Sequence, residues 1–406
     1  MVDREIIAVE KSHFRSKPVE GSGQLLPPIT SADVGLYIHI PFCIRRCHFC
    51  AFYLVIQDEK RMERFVADLK KEISLWALRD NFVVHNVSTV YFGGGTPTAL
   101  SVRQLSEILN CVGAHWKLDA QAEVTLESTP EPVSVEILTA LKEAGVTRVS
   151  LGVQSLVPHE REILGLSPET QPVHDAVQAA KAAGLDNINL DLMYGLPGQN
   201  LSSWEDSVCQ ALEMSPRHLS CYALSIEEGT RFYRQWKQGT LMACDPEEEM
   251  VFQYSADDQA RQSGLKRYEI SNWAYPGYAC RHNLRYWQGQ DYLGLGPSAQ
   301  SYLGGVRWGN VSDLFRYSEQ LAQGQIPVSD LEVLTEARQR KERVIFGLRQ
   351  VEGVPAEWID CVEHEVKWSQ SVAQLLTDEL LSQTGDRYVL TAKGRQLADT
   401  VGHILW

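Results

Sequence analysis

Short apolar runs alternate, along the first half of the chain, with stretches whose apolar positions recur every three or four residues. The first pattern fits buried strands and the second amphipathic helices. Residues 35–40 read as a first strand, and 60–78 as a helix with Phe65, Leu69, Ile73 and Trp76 on one face. A second strand, 88–92, runs straight into Gly93-Gly94-Gly95, and Ser101 is placed to cap a helix over 102–112. Strand 122–126 precedes helix 134–144, which stops at Gly145; strand 148–153 precedes helix 172–183, which stops at Gly184. Strand 188–193, helix 203–212 and strand 219–224 complete six repeats. Such alternation implies a parallel sheet with right-handed crossovers. The loops after the strands then share one end of the sheet, the end where barrel active sites lie. The cysteines of 43–50, the glycine run, Glu127, Gln154 and Asp191 all fall there.

Beyond about residue 228 the pattern changes. Residues 246–262 read as a charged helix, and 268–307, rich in Gly, Tyr and Trp, as strands and tight turns. From 331 onward two helical stretches precede a hairpin strand near 386–391 and a last helix near 394–404, which suggests a small winged-helix-like tail. The expected division is a disordered leader at 1–33, a core at 34–228, an extension at 229–330 and the tail at 331–406.

The 406 residues carry 38 Lys and Arg against 52 Asp and Glu, a formal net charge of −14. That balance excludes a protein whose main task is gripping nucleic acid, since phosphate binding needs a basic surface. No apolar run approaches the ~20 residues of a membrane span. The first residues, with Asp3, Glu5, Glu10 and Glu20, read neither as a secretory signal nor as a transit peptide. A cytoplasmic protein is expected, with peripheral membrane contact left open. Nine cysteines, six of them scattered singly, fit a reducing compartment and one thiolate site better than a disulfide framework.

That thiolate site is Cys43-Ile44-Arg45-Arg46-Cys47-His48-Phe49-Cys50, directly after a strand. Three thiolates suit an iron–sulfur cluster. A structural zinc site wants four ligands, and here the fourth would be His48, cramped inside the loop, or a distant cysteine. A [4Fe–4S] cube on Cys43, Cys47 and Cys50 leaves one iron bare for a chelating amine and carboxylate. S-adenosylmethionine (SAM) offers both. An electron passed from the cube into its sulfonium cleaves a C–S bond, while the protein orients, tunes the electrostatics and excludes water.

The run Tyr37-Ile38-His39-Ile40-Pro41-Phe42-Cys43, with the cysteine spacing that follows, resembles the radical SAM superfamily and its coproporphyrinogen III dehydrogenase-like branch. Gly93-Gly94-Gly95-Thr96-Pro97, Glu127, Leu151-Gly152-Val153-Gln154-Ser155 and the segment 189–198 carry the likeness onward. The resemblance covers about 35–355. It implies an α/β fold: a partial (β/α)6 TIM-like barrel, a C-terminal α+β extension and the small tail. It also implies that Tyr37 and Phe49 contact SAM, that backbone groups of Gly94, Gly95 and Thr96 hold its amine or carboxylate, and that Glu127, Gln154 and Asp191 hydrogen-bond it. Leu166 stands where the branch commonly has an arginine, leaving Arg161 as a substitute by another route. Phe52 stands where oxygen-independent coproporphyrinogen oxidases carry a fourth cysteine.

The stretch Cys280-Arg281-His282-Asn283-Leu284-Arg285-Tyr286-Trp287 holds HN-x-x-YW, and with segments 268–274 and 291–296 it resembles the HemW family of heme chaperones. That resemblance implies heme as a third cofactor, acceptor hemoproteins and an electron donor as partners, and His282 as an axial ligand. Trp273, Tyr286 and Trp287 would edge the macrocycle, Cys280 would be a second candidate ligand, and Arg281 or Arg285 would pair with propionates. A satisfied structural histidine and core aromatics are the plainer readings of the same residues. Gln300 stands where relatives often have histidine. A radical enzyme acting on a tetrapyrrole, such as a coproporphyrinogen III oxidase, is the alternative function, and a metal-stabilised interaction protein with a decayed radical site the third. Whether the chain is an enzyme stays open on sequence alone.

Overall fold

A computed structural model describes residues 26–360 and 366–406. Residues 1–25, the bulk of the expected leader, lie outside them, as does Cys361. The six repeats appear in order: β1 (Val34–Ile40), α1 (Glu59–Ala77), β2 (Val87–Gly94), α2 (Val102–His115), β3 (Leu118–Ser128), α3 (Val135–Glu143), β4 (Arg148–Gln154), α4 (Pro158–Leu164), α5 (Gln171–Ala182), β5 (Ile188–Tyr194), α6 (Leu201–Glu213) and β6 (His218–Ala223). Ser101 caps α2 in a capping box with Gln104, and Ser134 caps α3. The helix α4 is additional to the expected set. Its marks were Pro158 at the first turn and Gly165, left-handed at φ +79°, at the end.

Strands β1 to β6 pair in parallel, each with the next in chain order. Beyond the charged helix α7 (Pro246–Gln262), β7 (Asn272–Ala274) joins β6 antiparallel. Helix α8 (Arg281–Trp287) follows. Then β8 (Tyr292–Leu295) pairs in parallel on the far side of β1 and leads an antiparallel run of β9 (Gln300–Leu303), β10 (Val306–Asn310) and β11 (Val328–Val333). The extension thus continues the barrel's own sheet, twelve strands in one order. The C-terminal residues build a separate apolar core around a three-stranded sheet, Val354–Pro355, Leu381–Thr384 and Arg387–Leu390.

Two expectations need correction. Residues 26–33 are ordered: Ile29–Ser31 pairs in parallel with Phe82–Val84, and Leu26 and Ile29 are buried. Asp33 accepts from Ser88, Asn86 and Arg285, which ties the segment to the barrel. Residues 281–287, expected among strands and turns, form a helix. Its first N–H groups, of Arg281 and His282, donate to the carboxylate of Glu123 on β3. A cap supplied from so far away in the chain leaves no mark in the local sequence.

The parallel strands have two different faces, as period-two alternation requires. Leu36, Ile38, Val90, Phe92, Val149, Leu151, Leu190, Leu192 and Leu219 belong to the main apolar core under the helices. Tyr37, His39, Thr89, Tyr91, Glu123, Glu127, Arg148, Ser150, Asp191 and His218 alternate with them and line the inner face. Burying apolar side chains on one face stabilises the sheet by about 25 cal/mol per Å² removed from water. The inner face is left to polar groups.

Candidate cluster and cofactor site

Cys43 ends the short strand Phe42–Cys43, which pairs with Val55–Ile56 and closes the cysteine loop. Its thiol lies 3.4 Å from Thr96 Oγ1, at the end of the glycine run. Burial raises all three thiols, and for Cys47 the nearby Cys50 and Cys43 push further, to about 11. Arg46 beside Cys43 and Cys50, and Arg45 beside Cys47, act in the opposite sense. Thiols raised in this way keep their protons until a metal displaces them. Among the described residues no three His, Cys, Asp or Glu side chains gather as ligands of a single ion. The donor set fits a cluster.

His48 is not a fourth ligand. Its Nδ1 lies 2.7 Å from Ile163 O and its Nε2 2.9 Å from Arg231 Nη1, so the ring pegs the loop to α4 and to the helix Arg231–Lys237. Phe49 packs against a small apolar group containing Leu164, Met193, Leu196 and Phe232, and Leu166 joins the same group. Arg161 does not replace the missing arginine. Only 1% of it is exposed, and it donates to the carbonyls of Ser167, Val153 and Ser155.

The glycine run is shaped by close approach. Gly94 sits at φ +107°, and a Cβ there would fall 2.5 Å from the His39 ring. A Cβ on Gly95 would fall 2.6 Å from Phe42 O. The N–H of Gly95 donates to Ile40 O at 2.8 Å and that of Thr96 to Phe42 O at 2.7 Å. The backbone of Gly94 lies close enough to Glu127 to favour its carboxylate. With these donors committed, the turn's remaining capacity lies in carbonyl lone pairs. It therefore suits a ligand ammonium better than a carboxylate.

Across the mouth stand the acids. Glu127 accepts from Tyr91 Oη at 2.7 Å; burial above all, then the neighbouring Asp191, holds its carboxyl up at about 7 against those donors. Asp191, also raised chiefly by burial, accepts from Ser150 Oγ at 3.1 Å and Asn189 Nδ2 at 2.8 Å. Both remain partly accessible. Gln154 closes β4 at φ +68°, a left-handed conformation that costs a non-glycine residue about 1–3 kcal/mol and recurs at ligand sites. Tyr37 reaches His39 Nδ1 at 3.2 Å and stacks on Tyr91, ring centroids 6.2 Å apart. The structure therefore gathers Tyr37, Gly94, Gly95, Thr96, Glu127, Gln154 and Asp191 at the strand ends beside the cysteine loop. Tyr91 and His39 belong with them. The alternation Thr89, Tyr91, Gly93 along one strand was the signal for the first.

The HN-x-x-YW residues lie at the other end of the inner face. His282 is 1% exposed, its Nδ1 2.8 Å from Thr89 Oγ1 and its Nε2 2.8 Å from Tyr286 Oη. Burial holds it down at about 3, a neutral ring. Both nitrogens therefore have partners within the protein, the plainer of the two readings of this residue. Cys280 is wholly buried against Glu123, its thiol pushed up to about 12 by burial. Arg285 is taken by Asp33, Ser88 and the Asp291 carbonyl, and Trp273 is buried with its Nε1 on Asp257. Arg281 is exposed and donates to Gln121 O, and Gln300 is exposed on β9.

A model of the radical SAM superfamily matches residues 37–208. The chain is 37% identical over 393 residues to the heme chaperone HemW of Mycobacterium tuberculosis, covering 96% of this chain and 98% of that one. It is 31% identical to the heme chaperone HemW of Lactococcus lactis, with 90% and 95% covered. Among solved structures, the radical SAM enzyme coproporphyrinogen III oxidase (HemN) from Escherichia coli superposes with a TM-score of 0.80 over 93% of this chain and 90% of that one, at 24% identity. That last likeness speaks to the fold.

Proposed function

The chain belongs to the HemW family of the radical SAM superfamily, and on that premise we propose that it is a heme chaperone which carries a [4Fe–4S] cluster and SAM and hands heme to acceptor hemoproteins. The observation that carries this reading is the near-complete alignment with relatives named heme chaperones. Phe52, 66% exposed where a fourth cysteine would stand, fits it. No helix among the described residues is long and apolar enough to cross a membrane. A cytoplasmic protein served by a separate electron donor agrees with that and with the free thiols.

In this reading Cys43, Cys47 and Cys50 would hold the cluster, and the pocket beside them would hold SAM. Carbonyls of the glycine turn receive its ammonium, while Glu127 and Asp191 accept from its remaining donors. Gln154, Tyr37 and Phe49 frame the ligand and keep water out. When bound, the reduced cluster supplies the electron that can open a sulfonium C–S bond. Glu127, poised near 7, holds or yields a proton beside the ligand according to pH.

The test is product analysis of the anaerobically reconstituted chain with SAM, dithionite and coproporphyrinogen III. The expected result is unchanged porphyrinogen. Decarboxylation at catalytic turnover would assign the chain to the oxidases instead.

A further inference from the structure

The HN-x-x-YW helix takes part in a second arrangement. Six rings follow one another along the inner face, from the candidate ligand site to the edge of the extension. Tyr37 stacks on Tyr91 with centroids 6.2 Å apart, and Tyr91 stacks on His282 at 5.1 Å and 29°. His282 meets Tyr286 edge-on at 5.1 Å, Tyr286 meets Tyr292 edge-on at 4.6 Å, and Tyr292 lies 6.4 Å from Tyr302. Three of these tyrosines also have a base within hydrogen-bond range. Tyr91 donates to Glu127 at 2.7 Å, Tyr286 lies 2.8 Å from His282 Nε2, and Tyr37 3.2 Å from His39 Nδ1. Thr89 Oγ1, 2.8 Å from His282 Nδ1, can take that nitrogen's hydrogen and leave Nε2 free to accept from Tyr286.

Ordinary packing explains one edge-to-face pair, worth about 0.5–1.5 kcal/mol. It does not require a file of tyrosines joined through one imidazole, with Tyr37, Tyr91 and Tyr286 each matched to a proton acceptor. Phenylalanine would fill the same space without needing a polar partner.

We propose that Tyr37, Tyr91, His282, Tyr286, Tyr292 and Tyr302 form a one-electron conduit that drains oxidising equivalents from the ligand pocket to the protein surface. The reaction is a rescue. A carbon-centred radical left in the pocket takes one electron and one proton from Tyr91 and becomes a C–H bond, leaving a phenoxyl radical beside Glu127. Tyr91 regains an electron from Tyr286 and a proton from solvent by way of Glu127, while the phenolic proton of Tyr286 rests on His282 Nε2. Tyr292 re-reduces Tyr286, which recovers that proton, and its own phenolic proton goes to water. Tyr302 in turn gives Tyr292 an electron, Tyr292 takes its proton back from water, and the phenolic proton of Tyr302 passes to water. At Tyr302, partly exposed at the far end, a soluble thiol gives up a hydrogen atom. Summed over the file, a carbon radical and a thiol become a C–H bond and a thiyl radical. The buried helix then has a purpose in a protein that handles radicals and a redox-active porphyrin.

The conduit rests on the superfamily's radical chemistry for its purpose, but its test needs neither cluster, SAM nor heme. The probe is 3-aminotyrosine, more easily oxidised than tyrosine, built into the full chain at position 91 as a sink (Tyr91→3-aminotyrosine). A ruthenium photosensitiser too large to enter the pocket, with persulfate as electron acceptor, oxidises the protein from solution, and the frozen sample is read by electron paramagnetic resonance. The expected result is an aminotyrosyl radical at 91 that falls several-fold when Tyr286→Phe or Tyr292→Phe is added. Tyr254→Phe, an exposed ring outside the file, should leave it unchanged. Using two interruptions guards against one of them failing to fold, which circular dichroism detects. An aminotyrosyl signal indifferent to both interruptions, or no signal at 91 in the parent, would overturn the conduit and leave the chaperone reading standing.

Discussion

The two ends of the barrel's inner face are built from the same residue types and do opposite things. At the floor, Glu123, His218, His282 and Arg285 are buried and matched to partners: Glu123 to the start of α8, His218 to Asn189 and Tyr268, His282 to Thr89 and Tyr286, Arg285 to Asp33. Arg148 is the exception, with Nε and Nη1 unpartnered among the described residues and the Glu123 carboxylate nearby favouring its charge. At the mouth, Glu127 and Asp191 keep access, the three thiols are free, and Gln154 holds a strained backbone. Bonding capacity left over, not residue type, separates the site from its support. Paired buried polar groups fix a structure, whereas acceptors and thiolates left in reach of solvent bind something.

The sharpest way to break that contrast is to remove a mouth thiol. Cys43→Ala should abolish the brown chromophore and the bound iron after anaerobic reconstitution while the circular dichroism spectrum survives. Equal iron content in the variant would dismiss the cluster assignment.

Next comes the carboxylate. Glu127→Gln should weaken SAM binding about tenfold or more, since hydrogen bonds to charged groups contribute about 1.5–3 kcal/mol. Glu127 is an acid raised to about 7, so its accepting form fills as pH rises through that value. SAM affinity of the parent should climb over the same window, by equilibrium dialysis, and the variant's profile should be flat.

At the floor the same chemistry should read as stability. Glu123→Ala strips the cap from α8 and leaves its N–H groups unmet, at a cost of about 1–3 kcal/mol for each buried group stranded. Urea unfolding should show that loss, with SAM affinity little changed. The smallest effect expected is on heme. Because His282 has no free nitrogen, His282→Ala should leave the heme titration curve in place while lowering the unfolding midpoint. A shift of the Soret band or lost affinity would return iron ligation to this residue.

Much of this was legible in the sequence because it depends on local order. Period-two runs and glycine stops gave the strands and helices of the barrel, and C-x₃-C-x₂-C gave the thiols. The glycine run and the acids at strand ends gave the mouth. The misreadings concern groups satisfied across long separations. The helix carrying HN-x-x-YW is capped by Glu123, more than 150 positions away in the chain, and Asp33 is held by Arg285, 252 positions on. His282 looks identical in sequence whether its nitrogens are free or taken. Only the fold supplies Thr89 at one side of the ring. Leu166 and Arg161 make the same point: one joins an apolar group and the other fastens carbonyls, and neither use is written in the residue itself.

The most direct measurement is heme transfer. The reconstituted chain is loaded with heme, separated from excess, and mixed with an apo-hemoprotein whose holo form has its own Soret band and activity. The account predicts that heme leaves this chain in stoichiometric amount and restores the acceptor's activity faster than free heme at equal concentration. Heme that stays bound, or an acceptor filled no faster than by free heme, would contradict it.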